Sequence, residues 1–222
     1  MINGMINGKD PAWLRFLERR FSWLAIPNIA ILFVTLQAMG FIFVMMDPIW
    51  VGRLALIPQA VSVGEYWRVV TFLALPVSLS PLWVIFSLWF LYFILNLIEN
   101  QWGAFKTTFY VLVSILLTIA YSFLFSLPIL SVSHFQSTLF LAAAALFPEM
   151  EVRLFLAIPV KLKWMAWLNL AYLAYEFFQN DWVGRGYILA IYSNCVIFFG
   201  PAALSSIKQA YRRQKFKNSF RS

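Results

Sequence analysis

Apolar residues in this chain come in blocks close to twenty residues long, separated by short polar or charged breaks. A block of that length crosses about 30 Å of hydrocarbon as a helix. The blocks predict six helices, at about 25–46, 80–98, 105–127, 135–147, 163–179 and 186–206. The fourth is short for a lone span and is expected inside the bundle, shielded by the others. Between the fourth and fifth, residues 153–163 alternate poorly and contain Pro159, so they read as an interfacial connection. Ahead of the first block the pattern changes. Trp13, Leu14, Leu17, Phe21 and Trp23 stand against Arg15, Glu18, Arg19 and Arg20, which predicts an amphipathic segment along the membrane surface rather than a signal peptide. The expected organisation is an interfacial segment (1–24), a membrane domain (25–206) and a basic tail (207–222). The expected fold class is an all-α polytopic membrane bundle.

Composition agrees. Apolar residues make up 62% of the chain, aromatic residues 19% and charged residues only 12%. A soluble domain carries roughly twice that share of charge. Lipid excludes an open sheet, and no alternating ten-residue pattern points to a barrel. Charge then sets orientation. With six spans, fourteen of the seventeen Lys and Arg residues fall on the side holding both termini, and only Arg53, Arg68 and Arg185 fall on the other. That asymmetry predicts cytosolic termini, and the expected setting is the inner membrane of a bacterium. Anionic lipid accounts for the net charge of +8, densest at Lys208, Arg212, Arg213, Lys215, Lys217 and Arg221, so no nucleic-acid partner is expected. The opening Met1-Ile2-Asn3-Gly4 repeats at once as Met5-Ile6-Asn7-Gly8 and carries no functional reading.

Two short motifs flank the second block. Gly64-Glu65-Tyr66-Trp67-Arg68 runs into the apolar Val69-Val70-Thr71-Phe72-Leu73, and Glu99-Asn100-Gln101-Trp102-Gly103 closes the block, with Lys106 following. An arginine at a membrane boundary can bond loop carbonyls while its stem and a neighbouring indole stay in the interface. Trp67 and Arg68 would thereby pin a long, partly submerged loop at about 48–79 against the bundle. An aromatic-belt tryptophan beside a snorkelling arginine would show the same residues. After the fourth block come Phe147-Pro148 and then Ile158-Pro159-Val160-Lys161. In order, spacing and topology these motifs resemble the rhomboid superfamily over about residues 25–206. The resemblance implies a rhomboid-like bundle of six transmembrane helices, with Trp67, Arg68, Glu99, Trp102 and Gly103 as structural positions.

The superfamily contains intramembrane serine proteases and protease-dead relatives. In the proteases a Gly-x-Ser-Gly serine opens helix four, a histidine in helix six is the base, and a His-x-x-x-Asn pair in helix two helps hold the oxyanion. Here the helix-two pair falls on Trp83 and Ser87, the base on Asn194, and no Gly-x-Ser-Gly exists. Asparagine takes up no proton near neutral pH, and a serine hydroxyl without a base is a poor nucleophile. Aligned without a gap the serine is Ser133; with one it is Ser137 or Thr138. His134, the chain's one histidine, is read as a capping or interfacial residue or as half of a rebuilt dyad with a neighbouring serine.

Other chemistries find little support. One histidine, Cys195 alone in the sixth block and scattered carboxylates suggest no metal site, and no phosphate-binding loop is present, so no cofactor is expected. Cys195 reads as a small buried apolar side chain. Glu176, near Gln179, Asn180 and Asp181, is the one ionisable residue within the spans and reads as interfacial. The expected function is that of a derlin-like pseudoprotease handling transmembrane client proteins in the bilayer, with self-association left open. The alternatives are an atypical serine protease using Ser133 or Ser137, and a small transporter or lipid-handling protein depending on Glu176.

Overall fold

The computed structural model describes residues 12–154 and 158–199; the Met-Ile-Asn-Gly repeat and the basic tail lie outside them. The first described element is the amphipathic α1 (Ala12–Phe21), on which Leu14 is buried and Phe16 exposed, and Trp23 just beyond it is exposed too. A 3-10 turn leads to α2 (Ile29–Met46). That helix starts four residues later than the apolar block, because Asn28 turns the chain in the left-handed region at φ 56°. The loop that follows carries three short helices, α3 (Ile49–Leu54), α4 (Pro58–Ser62) and α5 (Arg68–Thr71), and a 3-10 turn at Phe72–Ala74.

Then come α6 (Pro81–Trp102), α7 (Ala104–Phe125) and α8 (Ser133–Leu146). Helix α6 runs past the expected end at 98, so Glu99 to Trp102 form its last turn. Gly103 breaks it, at φ 83°, a conformation that suits a residue without Cβ. Around the connection expected at 153–163, residues 151–154 and 158–161 take up extended structure. They make an antiparallel pair, β1 (Glu151–Leu154) and β2 (Ile158–Lys161), in which Glu151 faces Lys161. The alternation is too short to announce a strand, and Pro159 sits in the second one, where a two-stranded edge tolerates it. The last two helices are α9 (Leu162–Gln179) and α10 (Trp182–Phe199).

Four helices, α2, α6, α7 and α10, are long and apolar enough to cross a membrane by length and composition. Ile31, Leu32 and Met39 of α2 and Leu116 of α7 stand exposed, as lipid-facing side chains do. Helix α8 is shorter, at 14 residues, or about 21 Å at 1.5 Å per residue.

Helix α7 buries a stripe of small polar residues, Thr107, Thr108, Ser114, Thr118 and Ser122. Their hydroxyls stay within hydrogen-bond reach. Thr108 Oγ1 accepts from the Ile26 N–H at 3.1 Å, and Ser122 Oγ donates to Leu127 O at 2.6 Å. Small hydroxyl residues of this kind let helices approach closely in lipid. Gly186 does the same for α10, lying against the Tyr121 ring of α7, whose hydroxyl donates to Val183 O at 2.8 Å.

The long loop is buried rather than solvated. Leu54, Ala55, Leu56, Phe72 and Leu75 join the core, and Leu56 pairs with Ile129 in an isolated bridge. Its anchor is Arg68, only 7% exposed. The guanidinium donates to Gly52 O, to Ala55 O at 3.0 Å and to the Glu65 carboxylate.

Beside the hairpin, Glu149 accepts from Lys163 at 2.6 Å and Lys161 at 3.0 Å. Those two ammonium groups, Lys163 foremost, hold its carboxyl below the usual carboxylate range. A carboxyl lowered on folding adds stability above its unfolded titration, and that stability is lost as pH falls through the folded value. All three groups are exposed, so the effect is local. Amide protection over residues 158–163 is expected to fall on acidification and to lose that pH dependence in Glu149→Gln. Hydrogen exchange checks this, and an undiminished pH dependence in the variant would contradict it.

Candidate functional site

Helices α6 and α9 both pack on α8. Between them lies a crevice of about 430 Å³. Its walls are apolar, from Phe90, Leu91 and Ile94 of α6 and Met165 and Leu168 of α9, and its floor is α8. Four polar side chains line it: Ser133, Gln136 and Ser137 on α8 and Asn169 on α9. Ser133, Gln136, Ser137 and Phe140 come three, four or seven residues apart along α8, so one helical face presents them together.

The polar groups are tied to their surroundings. Ser137 Oγ donates to Asn169 Oδ1 at 2.8 Å, joining α8 to α9. Gln136 Nε2 donates to Gln37 Oε1 of α2 at 2.8 Å, and the Gln136 carbonyl accepts from Ser87 Oγ of α6 at 3.4 Å. Ser87, at the oxyanion-pair position of the resemblance, therefore belongs to an amide ladder through α2, α8 and α6. Trp83, the other member of that pair position, is 52% exposed and meets Phe86 edge-on, so it faces outward.

His134 is the second residue of α8, whose N-cap position is held by Val132. Its Nε2 lies 3.2 Å from Glu176 Oε1 on α9, and its ring stands edge-on to Tyr187 and Tyr192 of α10. Glu176 is therefore more than an interfacial carboxylate: it belongs to the seam between α8 and α9. Ser133 Oγ faces the crevice, with the Ser133 N–H bonded to Ser131 Oγ at 3.2 Å.

The remaining candidates gather on the other side of α8. Asn194, fully buried, donates from Nδ2 to Tyr110 O at 3.0 Å and to Ser114 Oγ at 2.6 Å. Ser114 Oγ lies 3.5 Å from Thr138 Oγ1. Tyr110 OH donates to Thr138 O at 3.0 Å and sits 2.9 Å from Cys195 Sγ. Thr138 and Asn194 thus share one polar cluster through Ser114, apart from the crevice serines. An amide that already donates twice, beside a hydroxyl bonded to its own helix at Phe135 O, supplies no general base, because the Asn194 carbonyl oxygen takes up no proton near neutral pH.

Around the motif positions, the Asn28 N–H donates to Glu99 Oε1 at 2.8 Å, tying the entry of α2 to the end of α6. Trp102 stacks on Phe199 at 5.2 Å and meets Tyr110 edge-on. Trp67 is 57% exposed and contributes no cap to α5, the disposition of an interfacial indole. No group of three or more His, Cys, Asp or Glu side chains fit to hold a metal occurs among the described residues.

The amides Gln37, Gln136 and Asn169 were not singled out from the sequence. A search for polar residues inside apolar blocks, rather than for ionisable ones alone, would have found them. Comparison with protein-family models, with curated proteins and with solved structures finds no match to this chain.

Proposed function

We propose that the chain is a rhomboid-like pseudoprotease of a bacterial inner membrane, with six spans and both termini in the cytosol, that holds transmembrane client proteins. The observation that carries this reading is the crevice between α6 and α9. It is apolar on its walls, polar on its floor, and within the size range of pockets that receive ligand groups. A client helix laid along the gap buries side chains against Phe90 and Leu168 and finds hydrogen bonds at Ser133, Gln136 and Asn169. Helix α8, about 21 Å long, is shorter than about 30 Å of hydrocarbon and favours local thinning around the client.

The non-catalytic half of the proposal rests on partners. The Ser137 hydroxyl is donated to an amide oxygen, which cannot take its proton, and Asn194, the residue at the base position of the resemblance, is an amide bonded to Tyr110 O in a cluster apart from the crevice serines. Purified protein treated with a fluorophosphonate probe should label no more than a heat-inactivated control. One observation favours a second reading, an atypical serine hydrolase: His134 has a carboxylate partner in Glu176, as a catalytic imidazole requires. Labelling abolished by Ser133→Ala or Ser137→Ala would establish that reading and overturn ours.

A further inference from the structure

Helix α9 is lightly held. Leu162, at its start, is its one buried residue among those described, while Trp164, Trp167, Leu168, Tyr172, Tyr175 and Phe178 stand exposed. Two polar ties join it to α8. Ser137–Asn169 sits beside the crevice, and His134–Glu176 lies toward the far end of α9, where the chain turns into α10. Interhelical hydrogen bonds in lipid are individually modest. A tie between an imidazole and a carboxylate is the stronger kind, and its strength depends on charge.

We propose that the His134–Glu176 pair is a proton-operated latch that fastens α9 over the crevice and lets it swing out in acid. This deepens the client-holding reading and rests on it for the latch's purpose, though the motion itself stands alone. With Glu176 ionised, the carboxylate accepts from His134 Nε2, whether the ring is neutral and protonated at that nitrogen or cationic. When Glu176 takes up a proton the anion is lost. An imidazolium then remains in a seam where its side-chain SASA is only 17%. Desolvation makes such an uncompensated charge costly, and outward movement of α9 re-solvates it.

The surroundings offer no substitute anion. The rings facing His134 from α10 are the phenols of Tyr187 and Tyr192. Past the end of α9, Asp181 is engaged by the Gly184 N–H at 2.8 Å. Arg185 donates to Phe177 O at 3.0 Å and Phe178 O at 3.3 Å, placing a second cation close to the seam. Glu176 is thus the one carboxylate paired with His134 among the described residues.

The test uses the full chain in liposomes, with Cys195→Ser and nitroxide labels at Leu82→Cys on α6 and Phe178→Cys on α9. Both positions are exposed, at 67% and 75%. The label distance is read by pulsed electron resonance at neutral pH and in acid. We expect a reversible lengthening in acid, the acid distance at both pH values in Glu176→Gln, and a retained response in Glu176→Asp. His134→Gln should also lose the response, so a poorly folded Glu176→Gln does not shield the idea. An unchanged distance, or a pH shift that survives Glu176→Gln, overturns the latch. Client capture at Leu168 is scored separately at both pH values. Capture with an unmoved helix overturns the latch and leaves the client reading, whereas movement without capture upholds the latch and removes the client reading.

Discussion

Arg68→Ala is expected to release the 47–80 loop from the bundle and to lower stability by about 3 kcal/mol, since a buried polar group stripped of its partner costs about 1–3 kcal/mol. The side chain satisfies two carbonyls at once, those of Gly52 and Ala55, and Ala55 is fully buried. Loss of the guanidinium leaves that carbonyl without a donor and Glu65 without its cation. Arg68→Lys should recover only part of the loss, because one ammonium cannot reach both carbonyls and the carboxylate with the geometry of a planar fork. Thermal unfolding in detergent, with limited proteolysis to locate the opened segment, measures this. Unfolding of Arg68→Ala at the original temperature would show that the loop is held by its apolar contacts alone.

Gly40→Val should be more damaging still. A Cβ at position 40 would overlap the backbone carbonyl of Ala74, where α2 crosses the 3-10 turn at Phe72–Ala74. No rotamer relieves a clash with backbone, so helix and loop must separate. Overpacking usually costs about 1–3 kcal/mol, and an immovable wall puts Gly40→Ala near the top of that range and Gly40→Val beyond it. Gly52 is the control, since nothing lies within 4 Å of a Cβ built there. Gly52→Ala should unfold at the original temperature in the same assay. Equal tolerance of alanine at 40 and 52 would mean that α2 and the turn do not pack this closely.

Both variants test contacts that apolar patterning does not reveal. The long helices follow from the blocks of the sequence because a run of apolar residues bounded by Pro, Gly or charge has few alternatives in lipid, and among the described residues four of them, α2, α6, α7 and α10, are long and apolar enough to span it. The starts of α7, α8 and α9 lie within two residues of the expected ones. The errors fall where local chemistry outweighs hydropathy. Asn28 delays α2, Gly103 rather than Glu99 ends α6, and residues 151–154 pair with 158–161 as strands.

The candidate site was less legible. Ser137 and His134 could be named, but their partners could not, because Asn169 and Glu176 reach them across a helix pair whose relative rotation one sequence does not encode. The fold also divides the candidates into two groups. Ser133 and Ser137 face the crevice, whereas Thr138 and Asn194 face α7, a split set by the helical period of α8 and invisible without knowing which face is inside.

The central claim is that transmembrane clients lie between α6 and α9. The direct measurement places a photo-crosslinking residue at Leu168 in the crevice and, separately, at Ile31 and Leu116, which are exposed on α2 and α7. Crosslinked peptides from cell membranes are then identified by mass spectrometry. The account predicts that position 168 captures transmembrane segments of other proteins and that positions 31 and 116 capture them at background. Equal capture at all three positions, or lipid alone at 168, would contradict it.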